Sequence, residues 1–342
     1  MTTTDFATGA ISAVDLTTGE VHADVALASP DAIPIVHDGL LYVVNRYMYD
    51  YVSVLDPTDG FRVRSEHAIT QSGGASTNPH DVAFDGAGRA YVAMYGASTV
   101  QVHDFLQPSG TPSLIASVDT SAFADGDGIA EGEAVVSMGE EIWWLSHPVN
   151  RLEQWSLAGT DQLVEIDTET FRVVDRDPTQ EGVQGIALPC GWSRQLRRHP
   201  TREGHLLVLC EGIVDVDVDA GAWTWWVPPE SLPHASSSDY RLHQAFAVTD
   251  DGDFTVVASY DPSYEAVTLW RVRPDASPAP LVEGVQSVER SLEVVGEAIY
   301  FGDRSLGGAG VRVFDLDGTP MAELSGTGLP PYATTLRLSG SP

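Results

Sequence analysis

The chain has 342 residues, with 49 acidic against 18 basic side chains and a formal charge of −31, long enough for one large repeat domain or two ordinary ones. Every basic residue is arginine, which excludes Schiff-base or amine-nucleophile chemistry from lysine, and the acidic balance excludes nucleic acid and anionic membrane surfaces as partners. No run of about 18 apolar residues exists to span a membrane, and Met1-Thr2-Thr3-Thr4-Asp5 has neither a basic nor an apolar signal region, so any signal peptide was removed or never existed.

Gly9 to Val21 reads as a strand, an Asp-x-x-Thr-Gly turn and a second strand. Similar turns return at Asp56 to Gly60, Asp167 to Phe171 and Asp315 to Gly318, and their aspartates are read as structural turn caps. A first complete unit starts at Ile33 and runs through Leu41 to Asn45, Val52 to Leu55 and Phe61 to Ile69. The second is the clearest: Asn78 to Phe84, a turn with Gly86 and Gly88, Ala90 to Tyr95, a turn with Gly96, Thr99 to His103, and Ser113 to Val118. Three more begin near Ala134, Trp192 and Gln244, and a sixth near Ser291.

The unit recurs every 45 to 50 residues or so, which is the propeller range of internal repeats. The ends differ from the rest. Tyr332 to Leu338 is a lone strand without a hairpin, whereas the N-terminus has outer strands and no inner one. Joining the two completes a last blade and leaves no open edge. The expected fold is therefore all-β, a single seven-bladed β-propeller of four-stranded antiparallel blades, closed by the N- and C-terminal strands. The blades fall at about 33–69, 78–118, 133–175, 190–228, 243–283, 289–325, and 330–338 with 5–27.

Cys190 precedes the strand-like segment Trp192 to Arg198, and Cys210 ends the next one. They are expected to face each other across an antiparallel pair and to form a disulfide, with buried free thiols as the alternative. A bridge implies an oxidising compartment. Together with the acidic surface it favours an extracytoplasmic protein: periplasmic, cell-surface or secreted.

Val43-Val44-Asn45-Arg46, Val52 to Asp56 and Asn78-Pro79-His80-Asp81-Val82 resemble the seven-bladed YncE-like and lactonase-like bacterial surface propellers. The acidic, Gly-rich Val118 to Glu131 stretch makes the chain similar to secreted or lipid-anchored members of mostly unassigned function. The resemblance covers nearly the whole chain. It speaks to fold far more than to activity, because propellers host many unrelated functions.

Residues at the entry of each innermost strand should crowd at one mouth of the central channel. Aligning the strands on their apolar positions gathers His80, Asp81, Glu133, Arg194, His243, Gln244, Glu289, Arg290 and Tyr332 there. Charged groups of both signs converging in a concave place form the default site; the competing reading is polar side chains that merely solvate a wide tunnel. For binding, His80, Asp81, Arg194, Gln244, Glu289 and Tyr332 are the candidates. For catalysis, they are His80, Glu133, His243 and Arg290.

Asp125, Asp127, Glu131 and Glu133 are the candidate metal ligands, because calcium takes roughly six to eight oxygens and glycines between carboxylates let them turn toward one centre. The stretch is not an EF-hand loop, and a solvated acidic turn is its alternative. His37, His67, His103 and His205 are expected at the surface. His199 and His205 bracket a turn and offer at most a weak transition-metal pair.

No nucleophile elbow, zincin, phosphate-loop or Cys-x-x-Cys pattern occurs. The leading reading is a monomeric, non-catalytic binding or scaffold protein that engages a small molecule, carbohydrate or protein at the channel mouth, with structural calcium. The second is a lactonase-like hydrolase, in which a metal or a His/Glu pair activates water while Arg290 or Arg194 steadies an oxyanion.

Overall fold

Short runs of β-branched and aromatic residues, each broken by a turn, pair with their sequence neighbours as antiparallel hairpins. The computed structural model describes residues 1–335 apart from 72, 234–241, 274–275 and 306–309. Seven meander sheets result, a β-propeller of seven blades, each counted outward from the central axis.

Blade 1 is Ile33–His37, Leu40–Asn45, Tyr51–Asp56 and Arg62–Ala68; blade 2 is Pro79–Phe84, Ala90–Met94, Thr99–His103 and Leu114–Asp119. Blade 3 starts with Gly132–Met138, Glu141–Ser146 and Gln162–Asp167. Its fourth position is shared by two short pieces, Arg172–Val173 and Ile186–Ala187, which pair with opposite ends of the third strand. Between its second and third strands a small hairpin, Val149–Asn150 with Ser156–Leu157, is inserted.

Blade 4 begins with Gln195–Arg198 and His205–Leu209, blade 5 with His243–Val248 and Thr255–Tyr260, and blade 6 with Leu292–Val295 and Ala298–Asp303. Blade 7 is the closure. Pro331–Ala333 supplies its innermost strand and Thr2–Thr4, Gly9–Val14 and Val21–Ala28 supply the other three. The expected strand beyond Thr335 lies outside the described residues.

The core lies between blades. Because successive side chains leave a strand on opposite sides, Trp144 packs toward blade 2 while Trp143 packs toward blade 4. Leu206 and Val208 likewise meet blade 3, and Leu207 and Leu209 meet blade 5. Second strands are buried on both faces, which explains why Leu40 to Asn45 is a continuous buried run with no polar alternation before its end.

Two expectations change. His67 and His103 are buried, not on the surface: both pack around Phe105, with His67 bonded to Ser65 and His103 held between Ser113 and Gln101. His67, on the outermost strand of blade 1, is covered by the Phe105 turn of blade 2, whereas His103, on the third strand of blade 2, is enclosed by Gln101, Phe105 and Ser113 of its own blade, so an outer position there is still inside the protein. Cys190 and Cys210 do form a disulfide, with Cα atoms 6.2 Å apart. It does not link two paired strands: the innermost strand of blade 4 begins only at Gln195, opposite Leu209, so the bridge ties the incoming connection to the residue after the second strand.

Candidate functional site

In each blade the first strand starts, and the second strand ends, on the same face of the ring, which we designate the upper face. There the innermost strands of blades 2, 3, 5 and 7 each carry a β-bulge at one register. His80, Glu133, Gln244 and Tyr332 are the extra residues at which the register shifts. A bulge re-aims a side chain, and here it aims four of them at the channel. Arg194 fits the same place in blade 4, since its N–H and the pairing of Gln195 both fall on Leu209.

The residue after the bulge does a different job. The Asp81 carboxylate accepts the Val135 N–H at 3.1 Å, and the Gln195 side chain accepts the Phe246 N–H at 2.9 Å, so both clamp one innermost strand to the next. Asp81 is thus committed to blade packing, and burial pushes its carboxyl up to about 6. His243 stands one place before the bulge, where Pro79 and Gly132 stand in their blades, and its Nδ1 meets Ser259 Oγ at 3.1 Å. The structure therefore brings together His80, Glu133, Arg194, Gln244, Arg290 and Tyr332, but places Asp81 and His243 in the wall.

Blades 3 and 6 lie across the ring from each other, and Arg290 spans the axis to donate to Glu133 Oε1 at 2.7 Å. Glu133 Oε2 meets His80 Nδ1 at 3.1 Å, and His80 Nε2 meets Arg46 Nη2 at 3.0 Å. Arginine only donates, so Nε2 accepts and the proton sits on Nδ1, facing the carboxylate. Burial, then Arg46, lowers the His80 pKa to about 3 despite Glu133, keeping the ring neutral. Burial alone would raise Glu133, yet Arg290 and His80 hold it far below the ordinary range. Deeper in the channel Arg197 of blade 4 grips Glu293 of blade 6 through both guanidinium nitrogens, at 2.8 and 3.1 Å. Two ion pairs at successive depths therefore cross the bore.

Four further side chains join this mouth, and reading the innermost strands alone does not find them: Arg46, Tyr95, His147 and Arg304. Each is the first residue after the second strand of its blade. Tyr95 stacks on His80 with ring centroids 4.4 Å apart, and His147 reaches Asp161 at 3.7 Å. Arg304 donates to the Thr4, Pro330 and Pro331 carbonyls and so locks the closing blade.

Several donors are left over. Arg46 Nη1 and Arg194 Nε are buried without a hydrogen-bond partner, Arg46 Nε has only the Asp31 carboxylate at 3.5 Å, and the Arg194 contact to Gln244 is long, at 3.4 Å. Glu289 makes no ion pair among the described residues. Burial raises its pKa although Arg304, Arg290 and Arg194 all pull the other way.

The four proposed calcium ligands divide between two places. Glu133 belongs to the axial pairs above. The Asp127 carboxylate accepts the Ile129 and Arg151 backbone N–H groups, and Glu131 Oε1 accepts from Arg151 Nε at 3.1 Å. A guanidinium already occupies the ground a cation would take, and these residues do not fit a calcium site. Among the described residues no group of three or more His, Cys, Asp or Glu side chains could hold a metal ion. His199 and His205 stand 6.1 Å apart, with His205 bonded to Asp215.

A cavity of about 410 Å³ opens on the other, lower face, beside His37, Leu40, Tyr42, Asp56, Arg64 and Leu106. Its charged groups are paired internally, Arg64 with Asp56 and His37 with Asp38. The upper mouth, which has unsatisfied donors, is the better candidate for recognition.

No family model and no curated protein matches the sequence. Solved structures do match in shape. A functionally unknown protein from Desulfotomaculum acetoxidans aligns over 97% of this chain and 96% of its own, with a TM-score of 0.62 and 11% identity. A protein from Lactobacillus plantarum covers 91% and 89%, at 0.56 and 14%. The virginiamycin B lyase of Staphylococcus aureus covers 85% and 82%, at 0.54 and 9%. At such identities the likeness is one of fold.

Proposed function

We propose that this propeller is a binding protein that seats an anionic group of its ligand, a carboxylate or phosphate, at the upper mouth of its channel. The observation that carries this reading is the distribution of committed and uncommitted groups. His80 and Glu133, which a hydrolase would need as base or metal ligand, spend both ring nitrogens and both oxygens on each other, Arg46 and Arg290. Buried Nη1 of Arg46 and Nε of Arg194 remain open, although Arg46 Nε already faces the Asp31 carboxylate at 3.5 Å, and a guanidinium is the side chain best shaped to receive such an anion.

The lactonase-like reading requires the network to break before water can be activated. Kinship with YncE-like surface propellers and an extracytoplasmic home both fit the disulfide. Calorimetry with a panel of small carboxylates and phosphate esters tests the proposal. Binding should weaken at least about tenfold in Arg194→Gln. Turnover of lactones or esters that is lost in Glu133→Gln, with no saturable binding of the panel, would replace it by the hydrolase.

A further inference from the structure

The upper face carries a second feature. The loops that join the second and third strands of blades 7, 1, 3 and 5 expose Phe6, Met48, Tyr49, Leu152, Trp155 and Tyr264. Met48 is 73% and Leu152 79% exposed. Apolar side chains scattered singly over a surface need no explanation, but these are gathered. Among the described residues, every exposed aromatic side chain except Trp223 lies on this face.

The backbone makes the point sharper. Phe6, Met48, Trp155 and Tyr264 have left-handed φ values of 66°, 71°, 61° and 59°, a conformation that costs a bulky L-residue roughly 1–2 kcal/mol. The lower-face turns put glycine at such places, as at Gly88, Gly139 and Gly318. Phe61 and Phe171 share the strained backbone below, but their rings pack against the core. Among the described apolar residues, only those of the upper loops combine this strain with exposure, and each of these opposes folding.

The loops are also held stiffly. The Asp50 carboxylate accepts from Ser76 Oγ and from the Thr77 and Asn78 N–H groups, while the Tyr47 N–H is fixed by Asn78 Oδ1. Asp261 accepts from the N–H groups of Ser263, Glu265 and Ala266 around Tyr264. Arg304 covers the Phe6 ring at 4.6 Å, and Arg151 covers Trp155 at 5.4 Å. Strained positions maintained by such bonding mark functional surfaces.

We infer that this ring of loops is a docking surface for another protein, taking an extended acidic segment whose apolar side chains rest on the loops while its carboxylates reach the arginines inside. The inference rests on the binding reading above. Aromatic residues, methionine and arginine are the types enriched at the cores of protein interfaces. Met48 and Leu152 have no flat face on which a sugar ring could stack. An anionic membrane would lie against the protein's acidic surface at large, at a net charge of −31 and without lysine, whereas a segment's carboxylates need meet only the arginines of the mouth. Arg46 Nη1 and Arg194 Nε, the open donors at the centre of the ring, supply the complement for an acidic group.

A displayed library of random linear peptides, selected on the full chain, tests this. Enriched sequences are synthesised and their affinities measured against wild type, Trp155→Ser, Tyr49→Ser, Arg194→Gln and the lower-face control Leu106→Ser. The expected peptides place Asp or Glu between apolar residues, lose at least about tenfold in affinity with either loop variant, and are indifferent to Leu106→Ser. No enrichment, or peptides that bind the loop variants as tightly as wild type, overturns the docking surface. Loss in the loop variants without loss in Arg194→Gln sustains it and removes the channel mouth as the binding site; loss in Arg194→Gln alone does the reverse.

Discussion

The two faces of the ring are built from the same hairpins and solve opposite problems. On the lower face an aspartate at the end of a strand caps its own turn: Asp15 accepts from Thr17 and Thr18, Asp85 from Ala87 and Arg89, Asp315 from Asp317 and Thr319. These are short chain reversals that satisfy themselves. On the upper face, by contrast, charges are buried across the axis and apolar rings are turned out to water. Chain reversal needs neither, so the asymmetry separates what the fold requires from what it has been given to carry.

The largest test of that contrast is Glu133→Ala. It strands the Arg290 charge and the His80 N–H in a buried place, and removal of one member of a buried pair costs about 3–5 kcal/mol. Urea unfolding should show the loss, with Glu133→Gln falling between. Should Glu133→Ala unfold like wild type, the axial pairs hold nothing together and the mouth is better hydrated than its geometry implies.

Next comes the bridge between Cys190 and Cys210, also on the upper face. With a sequence separation of 20 residues, its reduction should cost about 3 kcal/mol by the loop-closure argument. Thermal unfolding of wild type with and without a thiol reductant measures it. A shift near zero would mean that the connection into blade 4 is already fixed by Asp161, which accepts the Ser193 N–H and whose own N–H binds the Cys190 carbonyl.

Acidification probes the other side of the ring. Burial lowers His103 from its ordinary 6.5 to about 4, so between those values the unfolded chain binds a proton that the folded chain refuses. The His103 contribution is therefore fully present above pH 6.5 and is lost as pH falls toward and through 4, on the order of 3 kcal/mol in all. Asp81 and Glu131, raised by burial to about 6 and about 7, act in the opposite sense over the same range. His103→Gln isolates the histidine: its stability should fall less steeply than wild type between pH 6.5 and 4, and an unchanged slope would mean the ring is not excluded from protonation.

How much of this was legible follows from the physics of each feature. Blade number is written in the alternation of apolar runs and in the mismatch of the two ends, because burial and edge closure act on composition. Bulges are not written there. His80 and His243 look alike beside Asp81 and Gln244, and only the register of the second strand decides that one faces the channel and the other a serine. Arg46, Tyr95, His147 and Arg304 were within reach, since every blade offers one residue just past its second strand. His67 and His103 were not, as nothing in an outer strand announces the turn around Phe105 that packs on both rings.

The smallest effect belongs to the lower turns. The Asp167 carboxylate accepts the Thr170 and Glu169 N–H groups, and these bonds, Thr170 first, hold its pKa below the ordinary value. The stability it lends is present above that ordinary value and is lost as pH falls through the depressed one. Because the group lies close to solvent, Asp167→Ala should cost less than about 1 kcal/mol in urea unfolding at neutral pH. Below the depressed pKa the difference from wild type should vanish. A cost rivalling that of Glu133→Ala would show the lower turns to be as dependent on charge as the channel, and the division between a face that folds and a face that binds would no longer hold.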